Sequence, residues 1–190
     1  MHLDTYAIMS QRSIFHMVKR RVDISIQDPL LYPVSRSWLR KSVLTTLDIA
    51  SPCTSYSVSL AICDDVTIKL LNQTYRGKNE VTDVLAFSTK HQGAWKGESN
   101  FQQTSPQNEV FIFPPEQLPH LGEIVISHPQ MVRQAKKSKT AIDRELATLI
   151  IHGTLHLLGY DHEELKQHLL MQNKSNQVTF KLFEHCRELK

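Results

Sequence analysis

Alternating hydrophobic and polar residues in the first two thirds of the chain predict four β-strands. Val22 to Gln27 and Tyr56 to Cys63 alternate apolar and polar side chains, which is typical of half-buried strands. Val84 to Phe87 and Leu121 to Ser127 are two further apolar stretches that we interpret as strands. The pattern therefore predicts a small sheet whose strands precede most of the helices in the sequence.

Apolar residues at helical spacing predict helices between and after these strands. One helix is expected over residues 33–50, and a second begins at the capping residue Asp65 and ends at Gly77. Ser127 should cap a third helix that has Pro129 in its first turn, where the missing N–H of proline is harmless.

A fourth helix is predicted from the capping-box pattern of Thr140 and Asp143, and it runs to Gly159. Its segment Glu145 to Leu158 is apolar almost all round, the mark of a buried helix. Residues from Glu163 onward are also expected to be helical.

The predicted order β-α-β-α-β-β-α-α-α indicates an α+β fold, a small four-stranded mixed sheet covered by about five helices. A right-handed crossover through the first helix should make the first two strands parallel. The length suits one domain over residues 1–190. We expect residues 1–20 to be an N-terminal extension and 89–120 an exposed insert loop without a catalytic role.

Composition narrows the protein class without naming a function. A hydrophobic content of 41% is ordinary for a globular protein, and the net charge of +3 neither demonstrates nor opposes nucleic-acid binding. The three cysteines form no close pair and fit a reducing compartment. No apolar run reaches the roughly 20 residues needed to cross a bilayer, and Asp4 makes the N-terminus a poor secretion signal, so we expect a cytoplasmic protein without a membrane partner.

Three histidines at residues 152–162, in the sequence HGTLHLLGYDH, carry the candidate chemistry. His152 and His156 are four residues apart and project from one face of a helix. Gly159 is a typical helix stop because the chain reversal needs a positive φ, and the reversal can bring His162 beside the other two. Three converging imidazoles predict one Zn²⁺ ion with an open coordination position, at the end of a buried helix.

Three blocks of this sequence, in order, resemble the YbeY family of metal-dependent endoribonucleases. They are the histidine block, the stretch LNQTYRGKNEVTDVLAFS at residues 71–88 and the strand LGEIVIS at residues 121–127. The resemblance implies cleavage of single-stranded RNA in the maturation of small-subunit ribosomal RNA and in ribosome quality control. It also implies the small ribosomal subunit and its assembly factors as partners, with no DNA substrate, and it places Arg76 in the active site.

The residues are consistent with that chemistry. Zinc held by three neutral imidazoles can lower the pKa of a bound water to about 7. The planar guanidinium of Arg76 can hold two phosphate oxygens as negative charge gathers during phosphodiester cleavage. An exposed arginine favoured by the negative end of a helix dipole is the alternative reading of this residue.

Two other functions remain open at this point. The histidine spacing is also that of metzincin proteases, whose general-base glutamate follows the first histidine, a position that is Gly153 here. Alternatively, the protein is a ribosome-assembly binding protein with structural zinc, which would need a fourth protein ligand such as Asp161 or the distant His128.

Several further residues are candidates for support or for RNA contact. Asp161 could orient a ligating imidazole or act in a turn, Asp83 is expected to fix the start of its strand, and Glu123 could line the cleft. A group of basic residues could neutralise phosphates or form a solvated helix face: Lys78, Arg133, Lys136, Lys137 and Lys139. The sequence shows no aromatic ladder for stacking bases.

Overall fold

The computed structural model describes residues 18–29, 31–89, 118–160 and 165–183. Within them the elements follow the predicted order β-α-β-α-β-β-α-α-α. The strands are β1 (Arg20–Ile26), β2 (Tyr56–Cys63), β3 (Val84–Ser88) and β4 (His120–Ser127). The helices are α1 (Arg36–Ala50), α2 (Asp65–Arg76), α3 (His128–Ser138), α4 (Ile142–Leu157) and α5 (Leu165–Phe183). The predicted α+β class, with four strands and five helices in the described residues, is confirmed.

The sheet is mixed, with the strand order β1-β2-β4-β3. β1 pairs with β2 in parallel, as the crossover through α1 predicts, and β2 pairs in parallel with β4. β3 is an edge strand that runs antiparallel to β4, with Val84 opposite Ile126 and Ser88 opposite Gly122. The carboxyl end of β3 therefore lies beside the amino end of β4.

Alternating strand residues bury the two faces of the sheet against different helices. The largest cluster joins residues of β4 such as Ile124 and Ile126 to buried residues of α1 and α4. Val125 and Leu85 point to the opposite face, where they pack with Ile68 of α2. α5 forms an outer layer through the buried residues Met171, Val178 and Leu182, which contact α4. The α4 helix is thus enclosed by the sheet and by other helices.

Helix starts follow local hydrogen bonding, and two predicted caps are wrong. The Ser127 side chain accepts a hydrogen bond from the Gln130 N–H, which confirms it as the cap of α3. α2 is capped by Asp64, not by Asp65, because the Asp64 carboxylate accepts from the Thr67 N–H at 2.8 Å. α4 begins after Ala141 without a side-chain cap, so the capping box of Thr140 and Asp143 does not form.

The N-terminal extension predicted over residues 1–20 ends too late, because Arg20 already belongs to β1. The Arg20 guanidinium pairs with Asp48 and donates to the carbonyl oxygen of Ser51 at 2.7 Å. Lys174 of α5 donates to the carbonyl oxygen of Ile49 at 3.0 Å. These two cations satisfy carbonyl groups that the end of α1 leaves without helical partners. Residues 1–17 lie outside the described residues.

The insert predicted over residues 89–120 has ordered ends. The Thr89 N–H donates to the carbonyl oxygen of Leu121, and the Ser57 N–H donates to that of Pro119. His120 belongs to β4. Residues 90–117 lie outside the described residues, so the role of the insert stays a prediction. In the part of the chain that is described, no helix combines the length and the apolar character that a membrane span requires.

Candidate metal centre

α4 is buried along most of its circumference, and the two histidines occupy its one partly exposed flank. Nine of its sixteen residues are buried. His152 and His156 are half-buried and follow Glu145 and Thr148 along the accessible flank. Because an imidazole inside an apolar core would lack polar partners, this flank is where two histidines on a buried helix can be accommodated.

The two imidazole rings face each other through their Nε2 atoms. These atoms lie 3.0 Å apart, and the ring planes are nearly perpendicular, at 82°. Two nitrogen ligands at about 2.0–2.1 Å from a tetrahedral zinc ion would be separated by about 3.3 Å. The separation and the ligand type therefore fit two adjacent corners of a tetrahedral zinc site.

The turn after α4 has the geometry that reverses a chain at a helix end. Gly159 has a φ of 89°, in the left-handed region. The Tyr160 N–H donates to the Leu155 carbonyl at 3.1 Å, and the Gly159 N–H donates to the His156 carbonyl at 2.9 Å. This pair of bonds is a Schellman motif, so the predicted glycine stop is confirmed.

His162 and Asp161 lie outside the described residues, so the third predicted ligand and its predicted carboxylate partner stay predictions. Among residues 18–29, 31–89, 118–160 and 165–183, no three metal-binding side chains form a cluster. The described part of the candidate site therefore consists of the facing pair His152 and His156.

Gly153 explains why this helix lacks the glutamate of metzincin proteases. A Cβ atom built on Gly153 would lie 2.9 Å from Cγ2 of Ile124, which is fully buried in β4. The residue that follows the first histidine therefore faces the sheet, and α4 packs too closely there for any side chain. A general base cannot occupy this position without displacing the helix.

The carboxyl end of β3 meets the end of α4 that carries His156. The Ser88 hydroxyl donates to the carbonyl oxygen of Leu157 at 3.2 Å. A Cβ atom on Gly122 would lie 2.1 Å from the carbonyl oxygen of Phe87 and 2.8 Å from Leu157. β3, β4 and α4 are thus in close contact at this point, and Ser88 fixes the last turn of α4.

Arg76 is the last residue of α2, which approaches the same end of β3 from the other face of the sheet. Gly77 has a φ of 68° and ends the helix, as predicted. Tyr75 contacts Phe87 of β3, with ring centroids 5.0 Å apart. Since Ser88 follows Phe87, neighbouring residues of one strand contact the α2 end beside Arg76 and the α4 end beside His156.

The sequence did not reveal the roles of Phe87 and Ser88. Both lie in the block Thr-Asp-Val-Leu-x-Phe-Ser, and their side chains point to opposite faces because they are neighbours on a strand. The sequence feature that could have drawn attention to these two residues is their position at the end of the strand that precedes the insert. Their contacts with Tyr75 and Leu157 depend on how two distant helices pack.

The structure places two other candidate carboxylates, those of Asp83 and Glu123, away from the histidines. Asp83 lies at the other end of β3, where its carboxylate accepts from Val84 N–H, Thr82 Oγ1 and Gln134 Nε2, so its expected structural role is confirmed. Glu123 is exposed on the sheet face that points away from α4. It lines an open groove of about 320 Å³ there, so our suggestion that it lines the histidine cleft is wrong.

The basic residues at the end of α3 are separated from the histidines by most of the length of α4. Arg133 forms an ion pair with Asp65 at 2.7 Å. Three exposed lysines, Lys136, Lys137 and Lys139, lie near the turn before α4. His152 is ten residues along α4 from Ile142, a distance of about 15 Å. Any contact of these lysines with RNA would therefore be remote from the candidate site.

His128 is positioned for packing. Its ring lies 4.6 Å from the ring of Tyr32, and burial lowers the pKa of His128. It follows the carboxyl end of β4, whereas α4 presents its histidines near the amino end of that strand, beyond Ile124. The structure therefore does not bring His128 to the imidazole pair, contrary to its suggested role as a fourth ligand.

Comparison with known proteins assigns the family. The family model described as Endoribonuclease YbeY matches residues 31–182 of the chain. The chain belongs to the YbeY endoribonuclease family. A YbeY endoribonuclease from Dehalococcoides mccartyi strain CBDB1 is 34% identical over 88% of this chain and 94% of its own length. One from Roseiflexus sp. strain RS-1 is 35% identical over 76% of this chain and 81% of its own.

A solved structure has a similar fold. The solution structure of TM1509 from Thermotoga maritima superposes with a TM-score of 0.54 and covers 88% of this chain and 92% of that one. Its sequence identity is 23%, so this likeness bears on the fold alone. Within the YbeY family, the matched range includes Arg76, both described histidines and His162.

Proposed function

We propose that this protein is a zinc-dependent endoribonuclease that cleaves single-stranded RNA, with His152, His156 and His162 as metal ligands and Arg76 as the phosphate-binding residue. The observation that supports it most directly is the facing pair of imidazoles, whose Nε2 atoms are 3.0 Å apart on the accessible flank of a buried helix. Family membership supports the nuclease class.

The histidines of this chain would hold the ion with neutral nitrogen ligands. A bound zinc ion of this kind supplies Lewis-acid activation of water at neutral pH. His152 and His156 are fixed by the packing of α4, and Gly159 turns the chain so that His162 can approach them. Neutral ligands leave the positive charge of the ion undiminished, which favours a polyanionic substrate.

Arg76 would bind the scissile phosphate. It ends α2, and its neighbour Tyr75 packs on Phe87, the residue before Ser88. A guanidinium at this place would stabilise the negative charge that builds up on the phosphate oxygens. Arg76→Lys should retain the charge but lose the bidentate geometry, so it should not restore full activity.

The packing of Gly153 favours RNA over a polypeptide as the substrate. A metzincin-like protease would place its glutamate base at this position, and Ile124 fills the space instead. By membership of the family, we propose small-subunit ribosomal RNA as the substrate, in a bacterial cytoplasm, with the small ribosomal subunit and its assembly factors as partners and ribosome quality control as a second role.

The decisive experiment measures the zinc content and the RNA cleavage of one purified sample before and after chelation. We expect about one zinc ion per chain, loss of cleavage on chelation and recovery when zinc is restored. His156→Ala should abolish cleavage, whereas the control His168→Ala, which removes an exposed imidazole of α5, should leave it unchanged.

The same variants distinguish the competing roles. If zinc is structural, His156→Ala should lower the melting temperature by several degrees, and the wild-type protein should cleave no RNA. If the protein is a protease, the wild-type protein should cleave an unfolded polypeptide and leave a ribosomal RNA fragment intact. Either result would overturn the proposed function.

A further inference from the structure

We propose that Tyr75 and Phe87 form a stacking platform for one unpaired base of a single-stranded RNA, next to Arg76. Tyr75 is 59% exposed, and the two ring centroids are 5.0 Å apart. The residues are twelve positions apart in sequence and belong to different elements, so only the fold brings them together. This inference rests on the proposed function and adds a base-binding subsite to it.

The platform is held rigidly on its inner side. Phe87 packs against the buried cluster that contains Ile68 and Leu85, together with the partly buried Val81. Tyr75 then rests against Phe87 with an angle of 60° between the ring planes. Because Phe87 is anchored and tyrosine has few rotatable bonds, a base that stacks here would restrict little additional side-chain motion.

Tyr75 leaves more than half of its surface exposed although its ring contacts Phe87. In an edge-to-face contact, the edge of one ring meets one face of the other ring. The remaining ring faces are not covered by this contact, so aromatic surface stays accessible to a third ring. Unpaired bases in single-stranded RNA are bound in this way by exposed aromatic side chains. The Tyr75 and Phe87 pair therefore has the chemistry of a base-stacking site.

The surroundings suit the backbone of a nucleic acid. Arg76 follows Tyr75 directly, and the exposed Lys78 lies two residues further on. Their positive charges can neutralise phosphates on either side of a stacked base without reading sequence. An uncharged ligand would gain nothing from these two cations, whereas RNA combines an aromatic base with a negative phosphate at every nucleotide, which is why we favour RNA.

The position of the platform relative to the candidate metal centre also suits the binding of one RNA strand to both. Phe87 contacts the α2 side, and the next residue, Ser88, donates to the Leu157 carbonyl beside His156. β3 is an edge strand of the sheet. An RNA strand that passes round this edge would place one base on the platform and bring a neighbouring phosphate to the histidines.

The test measures the binding of short single-stranded RNA to the full chain in the presence of chelator, so that no cleavage occurs. Tyr75→Ala should weaken binding roughly tenfold, a typical effect of removing a base-stacking residue. Tyr75→Phe and Tyr75→Trp should bind like the wild type. The matched control is Phe180→Ala, which removes an aromatic ring that is 62% exposed on α5 and should change nothing.

A single abasic nucleotide moved along the RNA identifies the stacked base. In the wild type, one abasic position should weaken binding roughly tenfold, and in Tyr75→Ala the same substitution should have no further effect. Non-additivity of this kind is expected when the two groups that are removed contact each other. Stacking should also quench the fluorescence of Tyr75→Trp by more than that of the wild type, which contains Trp38 and Trp95.

The possible results separate this inference from the proposed function. If the wild type binds RNA and Tyr75→Ala binds equally well, or if the abasic and Tyr75→Ala effects add, the platform is wrong and the nuclease proposal stands. If the zinc-loaded wild type neither binds nor cleaves single-stranded RNA, the proposed substrate itself is wrong. If Tyr75→Ala unfolds, the abasic scan of Tyr75→Leu decides, because leucine retains packing on Phe87 but offers no aromatic face.

Discussion

Gly153 and Ile124 are in such close contact that a methyl group on Gly153 would lie 2.9 Å from Cγ2 of Ile124. The contact brings α4 down onto β4 between the two histidines of the candidate site. It also occupies the place where a metzincin protease carries its catalytic glutamate. One steric relationship therefore sets the height of α4 above the sheet and removes the residue on which metzincin-like proteolysis would depend.

Gly153→Ala should destabilise the protein even though alanine is the better helix former. Alanine gains about 1 kcal/mol of helix propensity, but crowding of a packed core costs about 1–3 kcal/mol. Ile124 cannot move away easily because it is β-branched and lies in the central strand β4. We expect a net loss of about 1 kcal/mol in the free energy of unfolding, measured in urea.

The control for this prediction is Thr148→Ala, on the exposed flank of the same helix, which should change the unfolding free energy by less than about 0.5 kcal/mol. Gly153→Glu should be far more destabilising than Gly153→Ala. A Gly153→Ala protein as stable as the wild type would show that the α4 and β4 contact is looser than described.

Ser88 should act as a positioning residue for His156. Its hydroxyl donates to the Leu157 carbonyl, and loss of this bond should loosen the last turn of α4. Ser88→Ala should weaken zinc affinity, by less than the roughly tenfold that loss of a hydrogen bond to a ligating imidazole costs, and Ser88→Thr should restore most of it. Zinc affinity is measured by competition with a chromophoric chelator.

Thr89→Val is the matched control for Ser88→Ala. Thr89 Oγ1 donates to the His120 carbonyl at 2.5 Å, with the Leu121 carbonyl at 3.2 Å, and this bond from the next residue is of the same type but does not reach α4. Both variants should lose about 1 kcal/mol of stability. Equal zinc affinity in the two variants would assign Ser88 a purely structural role.

Gly159→Ala should reduce both stability and metal affinity. A non-glycine residue in the left-handed conformation costs about 1–2 kcal/mol, and Gly159 has a φ of 89°. Gly77, with a φ of 68°, provides the comparison because it ends α2 in the same region and has no neighbouring atom within 4 Å of its would-be Cβ.

Gly77→Ala should therefore show a similar loss of stability in urea but unchanged zinc affinity. The difference arises because only Gly159 turns the chain that leads from His156 to His162. If both glycine variants bind zinc like the wild type, the reversal at Gly159 does not position a ligand.

Cys63 should resist thiol reagents in the native protein. Burial raises its pKa from 9.0 to about 12, so the reactive thiolate is scarce at pH 8. Burial of the neutral thiol also means that its contribution to stability is complete below pH 9 and is lost as the pH rises towards 12. At pH 8, native Cys63→Ala should react with a thiol reagent at the same number of sites as the native wild type. In denaturant, the variant should react at one site fewer than the wild type.

Cys53 is the internal comparison for this experiment because it is exposed. Cys53→Ala should remove one rapidly labelled site from the native protein. Rapid modification of Cys63 at pH 8 would indicate that the layer formed by α2 opens readily, since Ile68 of that helix belongs to the cluster that buries the thiol.

The sequence alone determined the element order, the parallel pairing of β1 with β2, and the histidine pair on one helix face. These features follow from local rules: alternation, helical spacing and the conformational freedom of glycine at positions such as Gly159 act over a few residues. For the same reason, the cap of α3 at Ser127 was predictable. The cap of α2 was not, because the neighbours Asp64 and Asp65 compete for the same N–H groups, and α4 begins after Ala141 without any side-chain cap.

Only the tertiary structure decided which distant residues meet. The contacts of Phe87 with Tyr75 and of Ser88 with Leu157 link residues 12 and 69 positions apart. The exclusion of a side chain at Gly153 likewise depends on the depth at which α4 packs on Ile124. Packing of this kind depends on the fit of whole surfaces, and no short stretch of sequence encodes it.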